Sequence, residues 1–342
     1  MKVNSIVFFL IIILFFGISR KLNAQNYQLL SEIKDSLIAQ SERIYTLQDD
    51  ESKMKLNTEI SKNVLKAIKQ EKSIEYSFDS IKYISVLTSE DKMIRIFSWV
   101  LPKDDGGFEC FGYVQSYDDN LKMYRQWELK DVSATTQKPE SKIMSSDKWF
   151  GAVYYYIITT KSGGKKYYTL LGWNPTDRFS RKKVIEVITL KRNGEPVFGY
   201  SLFNAKELKY VKETNAKRII FEYSAQTRMH LNYETQTVRE VIPVKKEKSK
   251  RPSANGGFAS QKKEVRQEPE IKTFSSKLII FDRLAPKTKD VEGIYQFYFP
   301  ESNVMDGLVF KDGKWKFYTD IDARNPVKIE STPKKPINYN LY

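Results

Sequence analysis

The stretch of sequence that decides the fold is MIRIFSWVL, residues 93–101. Successive side chains of a β-strand point to opposite faces of the sheet. Both faces of this strand would be apolar, because large side chains occupy both parities: Phe97, Trp99 and Leu101 on one, Ile94, Ile96 and Val100 on the other. A strand with two apolar faces needs cover on both, so we predict stacked sheets, in a sandwich or a propeller-like body.

From about Ile74 onward, short aromatic and β-branched runs alternate with turn residues, which is typical of β-strands. Tight turns that require positive φ are expected at three dipeptides: Gly163-Gly164, Asn193-Gly194 and Asp312-Gly313. The predicted strands cover residues 83–87, 93–101, 108–115, 123–129, 154–160, 167–171, 184–190, 218–224, 229–233, 277–281, 294–299, 308–310 and 315–318. Because no helical pattern separates them, we expect a large antiparallel β body over residues 74–325.

Residues 25–73 show helical spacing instead. Apolar side chains recur every three or four residues on both sides of Asp49-Asp50: Leu30, Ile33, Leu37, Ile38, Ile44, Met54, Ile60, Val64, Leu65 and Ile68. The other faces are charged, so each helix should pack one stripe against the body or its partner. The predicted fold is therefore mainly β, with an N-terminal helical hairpin before the antiparallel body. A detached coiled-coil assembly is the alternative for the hairpin.

Residues 1–24 have the features of a secretory signal peptide. Lys2 precedes an apolar run at residues 6–18, which is shorter than the ~20 residues of a membrane-spanning helix. Ala24 supplies the small residue expected before a cleavage site. We therefore expect an exported protein, periplasmic or extracellular, with no transmembrane segment after cleavage. An uncleaved anchor is the alternative, because Arg20 and Lys21 follow the apolar run.

The positive charge of the chain, +15 overall, is partly concentrated in residues 245–272. This stretch holds nine basic and four acidic residues, is rich in Ser, Gly and Pro, and has almost no apolar side chains. Such a composition predicts a disordered insertion between strands. A contact with anionic lipid, glycan or cell wall is the functional alternative. Nucleic acid is not expected as a partner, because export would separate the chain from it. Residues 326–342 are interpreted as a C-terminal tail.

One His and one Cys among 342 residues exclude several chemistries. An intramolecular disulfide is impossible, and most zinc and copper sites need more ligands, so we predict neither a metal nor a cofactor. His230 alternates with Met229 and Leu231, which places it on a polar strand face, and no G-x-S-x-G motif offers it a nucleophile. Cys110 alternates with apolar neighbours and is expected to be a small buried residue.

Catalysis by a pair of carboxylates is not excluded, because two carboxylates can hydrolyse glycosides without His, Cys or metal. Asp104-Asp105 and Asp118-Asp119 precede Gly or Asn, which favours a turn role. Asp320 and Asp322 have the spacing of a calcium loop but lack its glycine and distal Glu, so calcium is not expected.

The densest group of binding-type side chains lies between two predicted strands, at residues 173–178. Trp173 offers a flat apolar face, Asn174 and Asp177 can form hydrogen bonds, and Arg178 can pair with a carboxylate. Loops held by rigid sheets often carry function, so these four residues are the candidate ligand-binding site. The alternative is a structural corner with a capping Asp and a half-buried Trp.

Five segments resemble a family of exported bacterial all-β proteins without an assigned activity: RIFSW (95–99), YTLLGW (168–173), RIIFEY (218–223), FDRLAP (281–286) and GIYQFY (293–298). The resemblance covers roughly residues 74–325. It implies export and an all-β body, and it supplies no catalytic residues.

Two functional classes follow. The first, which we favour, is a non-enzymatic binding or interaction module of the bacterial envelope, with a glycan, a lipid or an envelope protein as its partner. The second is a carboxylate-dependent hydrolase that acts on a glycan, which would require two acidic side chains to converge in a concave pocket.

The signal peptide predicts a mature chain that begins at Gln25, because the apolar run is too short to remain as a spanning helix. N-terminal sequencing of exported protein measures this directly. Recovery of the intact chain, with Met1, in the inner membrane would instead identify an anchored protein.

Overall fold

The computed structural model describes residues 24–204, 215–242 and 270–321. Helix α1 covers residues 24–43 in this range and helix α2 covers Asp50–Ile68. Fourteen strands follow in the described residues: β1 Ser85–Thr88, β2 Ile94–Pro102, β3 Phe108–Asp118, β4 Met123–Lys130, β5 Met144–Ser145, β6 Val153–Ser162, β7 Lys165–Asn174, β8 Ser180–Leu190, β9 Pro196–Phe198, β10 Arg218–Ser224, β11 Leu231–Ile242, β12 Glu270–Pro286, β13 Tyr298–Lys311 and β14 Lys314–Ile321. The predicted class, a helical pair followed by a mainly β body, is confirmed.

The strands form three antiparallel sheets. The first has the order β1-β2-β3-β4, and the third has the order β11-β12-β13-β14. The second runs β5-β9-β8-β7-β6, and β10 also pairs with β8. One edge of β8 therefore pairs with two different strands: residues 180–186 pair with β10, and residues 188–190 pair with β9.

The first sheet is covered on both faces, as the alternation in β2 predicts. Phe97, Trp99 and Leu101 pack with the two helices, whereas Ile94, Ile96 and Val100 pack with residues of the second sheet. The helices are fastened to this sheet by polar contacts as well. The indole nitrogen of Trp99 donates a 2.7 Å hydrogen bond to Asn57 of α2, and the Tyr45 hydroxyl donates to the Val100 carbonyl. The helical pair is thus part of the body and not a detached coiled coil.

The second sheet is also covered on both faces. Its other face packs with the third sheet through a core that includes Leu171, Ile185 and Phe281. Trp315 of β14 is fully buried in this core, and its indole nitrogen donates to the Thr169 hydroxyl at 3.0 Å. The layers therefore follow one another from the helices through the first, second and third sheets.

The predicted helical pattern is confirmed in its main features, but one of the residues predicted to be buried, Met54, is not. Asp49 caps α2 by accepting a hydrogen bond from the Ser52 amide at 2.7 Å, which satisfies a free N–H of the first turn. Met54 is 40% exposed, and Leu56 is buried in its place. Leu56 lies four residues before Ile60, so it falls on the buried stripe that Met54 misses.

The predicted strand at residues 294–299 is wrong in its first half. Tyr295–Phe297 forms a 3₁₀ turn, and β13 begins at Tyr298. Gly293, with φ of +87°, directs the chain into this turn, and Ile294, Tyr295 and Phe297 are exposed. Strand β13 then continues to Lys311, so it includes the segment at residues 308–310 that was predicted as a separate strand.

Several predictions fall on residues outside the described ones: the signal peptide up to residue 23, the insertion from 245 to 269, Asp322 and the tail at 326–342. The last three residues of the expected insertion, 270–272, belong to β12. Within the described ranges, neither helix combines the length and the apolar character needed to cross a membrane.

A charged pair lies inside the second sheet, where the sequence indicates only strands. Glu186 of β8 and Arg218 of β10 face each other across the ladder, and both side chains are fully buried. Arg218 Nε donates to Glu186 Oε1 at 2.6 Å, and Arg218 Nη1 donates to the Lys142 and Pro139 carbonyls.

A buried phenol completes this charged network. The Tyr154 hydroxyl donates to Glu186 Oε2 at 2.5 Å and accepts from the Trp149 indole nitrogen at 2.9 Å. Burial, followed by the neighbouring Glu186 charge, raises the pKa of Tyr154 well above its ordinary value, so it stays a hydrogen-bond donor. Arg218 Nη2 lies 2.6 Å from Glu186 Oε1 in the ion pair but forms no hydrogen bond, whereas the other polar groups named here have hydrogen-bond partners within the protein. These internal partners make the network structural.

Arg218→Met should lower the free energy of unfolding by roughly 3–5 kcal/mol, because it leaves the Glu186 carboxylate buried without its counter-charge. Urea denaturation measures the difference. Lys191→Met is the control: it removes one member of the exposed Lys191–Glu195 ion pair and should change stability far less. Equal effects of the two substitutions would contradict the structural role of the buried pair.

Candidate functional site

Two of the four predicted site residues, Asn174 and Asp177, form hydrogen bonds within the loop and its supports. The Asn174 side chain is buried; its amide nitrogen donates to the Gly151 carbonyl at 2.5 Å and its oxygen accepts from the Thr176 amide at 2.8 Å. Asp177 Oδ1 accepts from the amides of Phe179 and Ser180, both at 2.7 Å. The contacts with Thr176, Phe179 and Ser180 are Asx-type turn contacts, which stabilise the chain reversal between β7 and β8.

The other two predicted site residues, Trp173 and Arg178, lie in different surroundings. Trp173 is half-buried, and its indole forms a hydrogen bond with the buried Tyr223 hydroxyl. Arg178 is exposed and its guanidinium donates to the Asp105 carbonyl in the turn between β2 and β3. The loop thus has the contacts of a structural corner, and Arg178 and the 61% exposed Phe179 are the parts that face solvent.

The single His and single Cys lie where the alternation predicts. His230 is exposed, while its neighbours Met229 and Leu231 are buried. Cys110 is buried, and burial together with the nearby Asp131 carboxylate raises the pKa of its thiol well above the ordinary value. A thiol held in its protonated form is a poor nucleophile, so Cys110 contributes to packing.

The acidic clusters act mainly in turns and ion pairs. Asp105 accepts from the Gly107 amide, and Asp118 accepts from the Asn120 and Leu121 amides, as their turn sequences predict. Asp320 lies 2.9 Å from Arg283 in an ion pair. Among the residues that the structure describes, no three His, Cys, Asp or Glu side chains are grouped to hold a metal ion.

An open cavity of about 250 Å³ lies where the chain leaves α2 and enters the first sheet. Its walls come from residues 74–79, from β1 and the following turn, and from β2. Charges of both signs line it: Glu75, Asp79, Glu90, Lys92 and Arg95. The aromatic ring of Phe78 lies 5.5 Å from the Arg95 guanidinium carbon.

Arg95 is the unusual group in this cavity, because it is only 4% exposed yet forms no ion pair with any described carboxylate. Its three hydrogen bonds go to neutral oxygens: Thr88 Oγ1 at 2.7 Å, the Ser73 carbonyl at 2.5 Å and the Ile74 carbonyl at 2.6 Å. A guanidinium has five N–H donors, so one N–H of Nη1 and one of Nη2 form no hydrogen bond with a described group. Burial lowers the pKa of Arg95 to about 10, and the charges of Asp79 and Tyr124 offset only part of that shift.

Arg95 is not among the residues predicted to form a site, although it lies in the segment that decides the fold. The sequence feature that could have indicated it is a single cation among the apolar residues of a strand covered on both faces, because a buried cation requires a specific partner. The buried Glu186 had a comparable signal in β8. The partners of both residues come from distant parts of the chain, so the sequence alone does not indicate the type of site.

Asn174→Ala should lower the free energy of unfolding by about 1–3 kcal/mol, since it leaves the Gly151 carbonyl and the Thr176 amide without partners. Thermal or urea denaturation measures this. Arg178→Ala, in the same loop but exposed, should leave stability nearly unchanged. A folded Asn174→Ala protein of unaltered stability would show that these contacts do not hold the corner.

No protein-family model, no curated protein and no solved structure matches this chain. The resemblance to exported bacterial proteins therefore stays an expectation drawn from sequence segments, and the functional argument rests on the geometry of the described residues.

Proposed function

We propose that this protein is an exported, non-enzymatic binding protein of the bacterial envelope that holds a small carboxylate-bearing ligand in the cavity beside Arg95. The observation that carries the proposal is a buried guanidinium that lines an open cavity and forms no ion pair with a described carboxylate, although the charge of Asp79 on the cavity wall acts on it. A buried cation is destabilising unless it is paired, and a ligand carboxylate in the cavity would supply that pairing.

The chemistry of the cavity favours a zwitterionic ligand, such as an amino acid or a peptide end. The guanidinium presents its donors in a planar fork that suits a carboxylate. Glu75 and Glu90, on the walls of the same cavity, would attract an ammonium group and disfavour a ligand that carries negative charge alone. The Phe78 ring adds an apolar surface between these charges.

A carboxylate-dependent hydrolase is the second candidate, because three acidic residues, Glu75, Asp79 and Glu90, line this cavity. Glycoside hydrolysis needs two of them on opposite sides of a sugar bond. We favour binding over hydrolysis because the acidic residues share the cavity with a buried cation, which is suited to recognising a charged ligand.

We infer also that the β body is a layered sandwich and not a propeller. Support comes from the two cores that separate three successive sheets. Export to the periplasm or beyond, and binding to an envelope component, rest on the signal-peptide features of residues 1–24.

The proposal predicts that glycine binds the full mature protein, whereas glycinamide, which lacks the carboxylate, binds at least tenfold more weakly. Isothermal titration calorimetry measures both affinities. Arg95→Gln should abolish glycine binding in the folded variant, and Arg95→Lys should retain only part of it, because the charge stays but the fork is lost.

The control is Arg125→Gln, which removes an arginine of β4, in the same sheet, that pairs with Asp118 at 3.6 Å. It should bind glycine like the unchanged protein. Equal binding of glycine and glycinamide, or no binding of either, would contradict the carboxylate site. Release of sugar from a chromogenic glycoside panel, lost in Glu75→Gln or Glu90→Gln, would support the hydrolase instead.

A further inference from the structure

A second site lies on the face of the second sheet that packs with the third sheet, around Lys183 of β8. Its neighbours across the two ladders are Trp173 of β7 and Phe221 of β10. The Lys183 amine lies 4.4 Å from the centre of the Tyr155 ring and 3.4 Å from the Tyr155 hydroxyl oxygen. The residue remains partly exposed, so this aromatic environment is open on one side.

The amine has no acidic partner. Lys182, the preceding residue on the other face of β8, lies 3.7 Å from Glu222, whereas Lys183 forms no ion pair with any carboxylate in the described ranges. Tyr155 donates its own proton to the Leu231 carbonyl at 2.9 Å, so its oxygen is the acceptor toward Lys183. An ammonium group would thus keep N–H donors unsatisfied in a half-buried position, which favours the neutral amine.

The electrostatics agree with this geometry. Burial lowers the pKa of Lys183 to about 8, compared with 10.5 for an ordinary lysine. At neutral pH such a lysine holds a much larger fraction of its amine in the nucleophilic form.

We propose that Lys183 is a covalent site for aldehydes and ketones, preferably aromatic ones that contact Trp173 and Tyr155. The neutral amine nitrogen attacks the carbonyl carbon; the nitrogen loses one proton and the carbonyl oxygen gains one, which gives a carbinolamine. The oxygen then gains a second proton and leaves as water, while the nitrogen loses its second proton and forms the imine. No oxidant or reductant takes part, and the site is independent of the cavity beside Arg95.

Reductive trapping tests the proposal on the full mature protein. Benzaldehyde and sodium cyanoborohydride at pH 7.4 convert an imine into a stable benzylamine, and peptide mass spectrometry gives the labelling rate at each lysine. We expect Lys183 to be labelled at least ten times faster than Lys182, its neighbour on the same strand. Exposed Lys165 and Lys314 provide the rate of ordinary surface lysines.

Lys183→Arg keeps the positive charge but cannot form an imine, so it should lose the fast labelling while the other lysines react as before. Should this variant fail to fold, the comparison of Lys183 with Lys182 in the unchanged protein decides alone. Labelling of Lys183 at or below the rate of Lys182 would overturn the proposal.

Discussion

Burial of the second sheet on both faces is the constraint on which the rest of the structure depends. The first sheet covers one face and the third sheet covers the other, so the central residues of β7 and β8, 167–172 and 184–188, are buried. Polar groups placed there must find partners within the protein. This explains why Glu186 and Arg218 lie directly opposite each other, and why Tyr154 and Trp149 complete their hydrogen bonds.

The features of the fold that local physics determines could be predicted from the sequence. Two-sided apolar alternation in β2 correctly indicated cover on both faces. The three turn dipeptides correctly located three hairpins, and Gly163, Gly164, Gly194 and Gly313 all have positive φ. The long strand β13 was split in the prediction because residues 301–303 are polar, which is typical of a turn, and Asn303 has a positive φ in the structure. Pairing with β12 on both sides of an irregularity, Pro300 with Leu284 and Met305 with Asp282, keeps the strand continuous.

The site was harder to predict, because side-chain chemistry depends on which groups meet. The loop at 173–178 contains the polar types of a binding site, but the structure occupies Asn174 and Asp177 with neighbouring backbone groups. Arg95 differs in the opposite way: by sequence it is one residue of a core strand, and the cavity that it lines is formed in part by residues 74–79, which precede the sheet. Lys183 likewise acquires its low pKa from burial, which composition cannot reveal.

The shared edge of β8 has a consequence for the order in which the chain folds. The first sheet is a meander in which every strand pairs with its neighbour in sequence across a short connection, so its loops close at low entropic cost. The third sheet has the same order, but residues 243–269 separate β11 from β12. In the second sheet, β10 must reach β8 from about 30 residues away and occupy only the half of the edge that β9 leaves open. Completion of that ladder also encloses Arg218 against Glu186. Closure of this non-local pairing should therefore follow the formation of the first sheet.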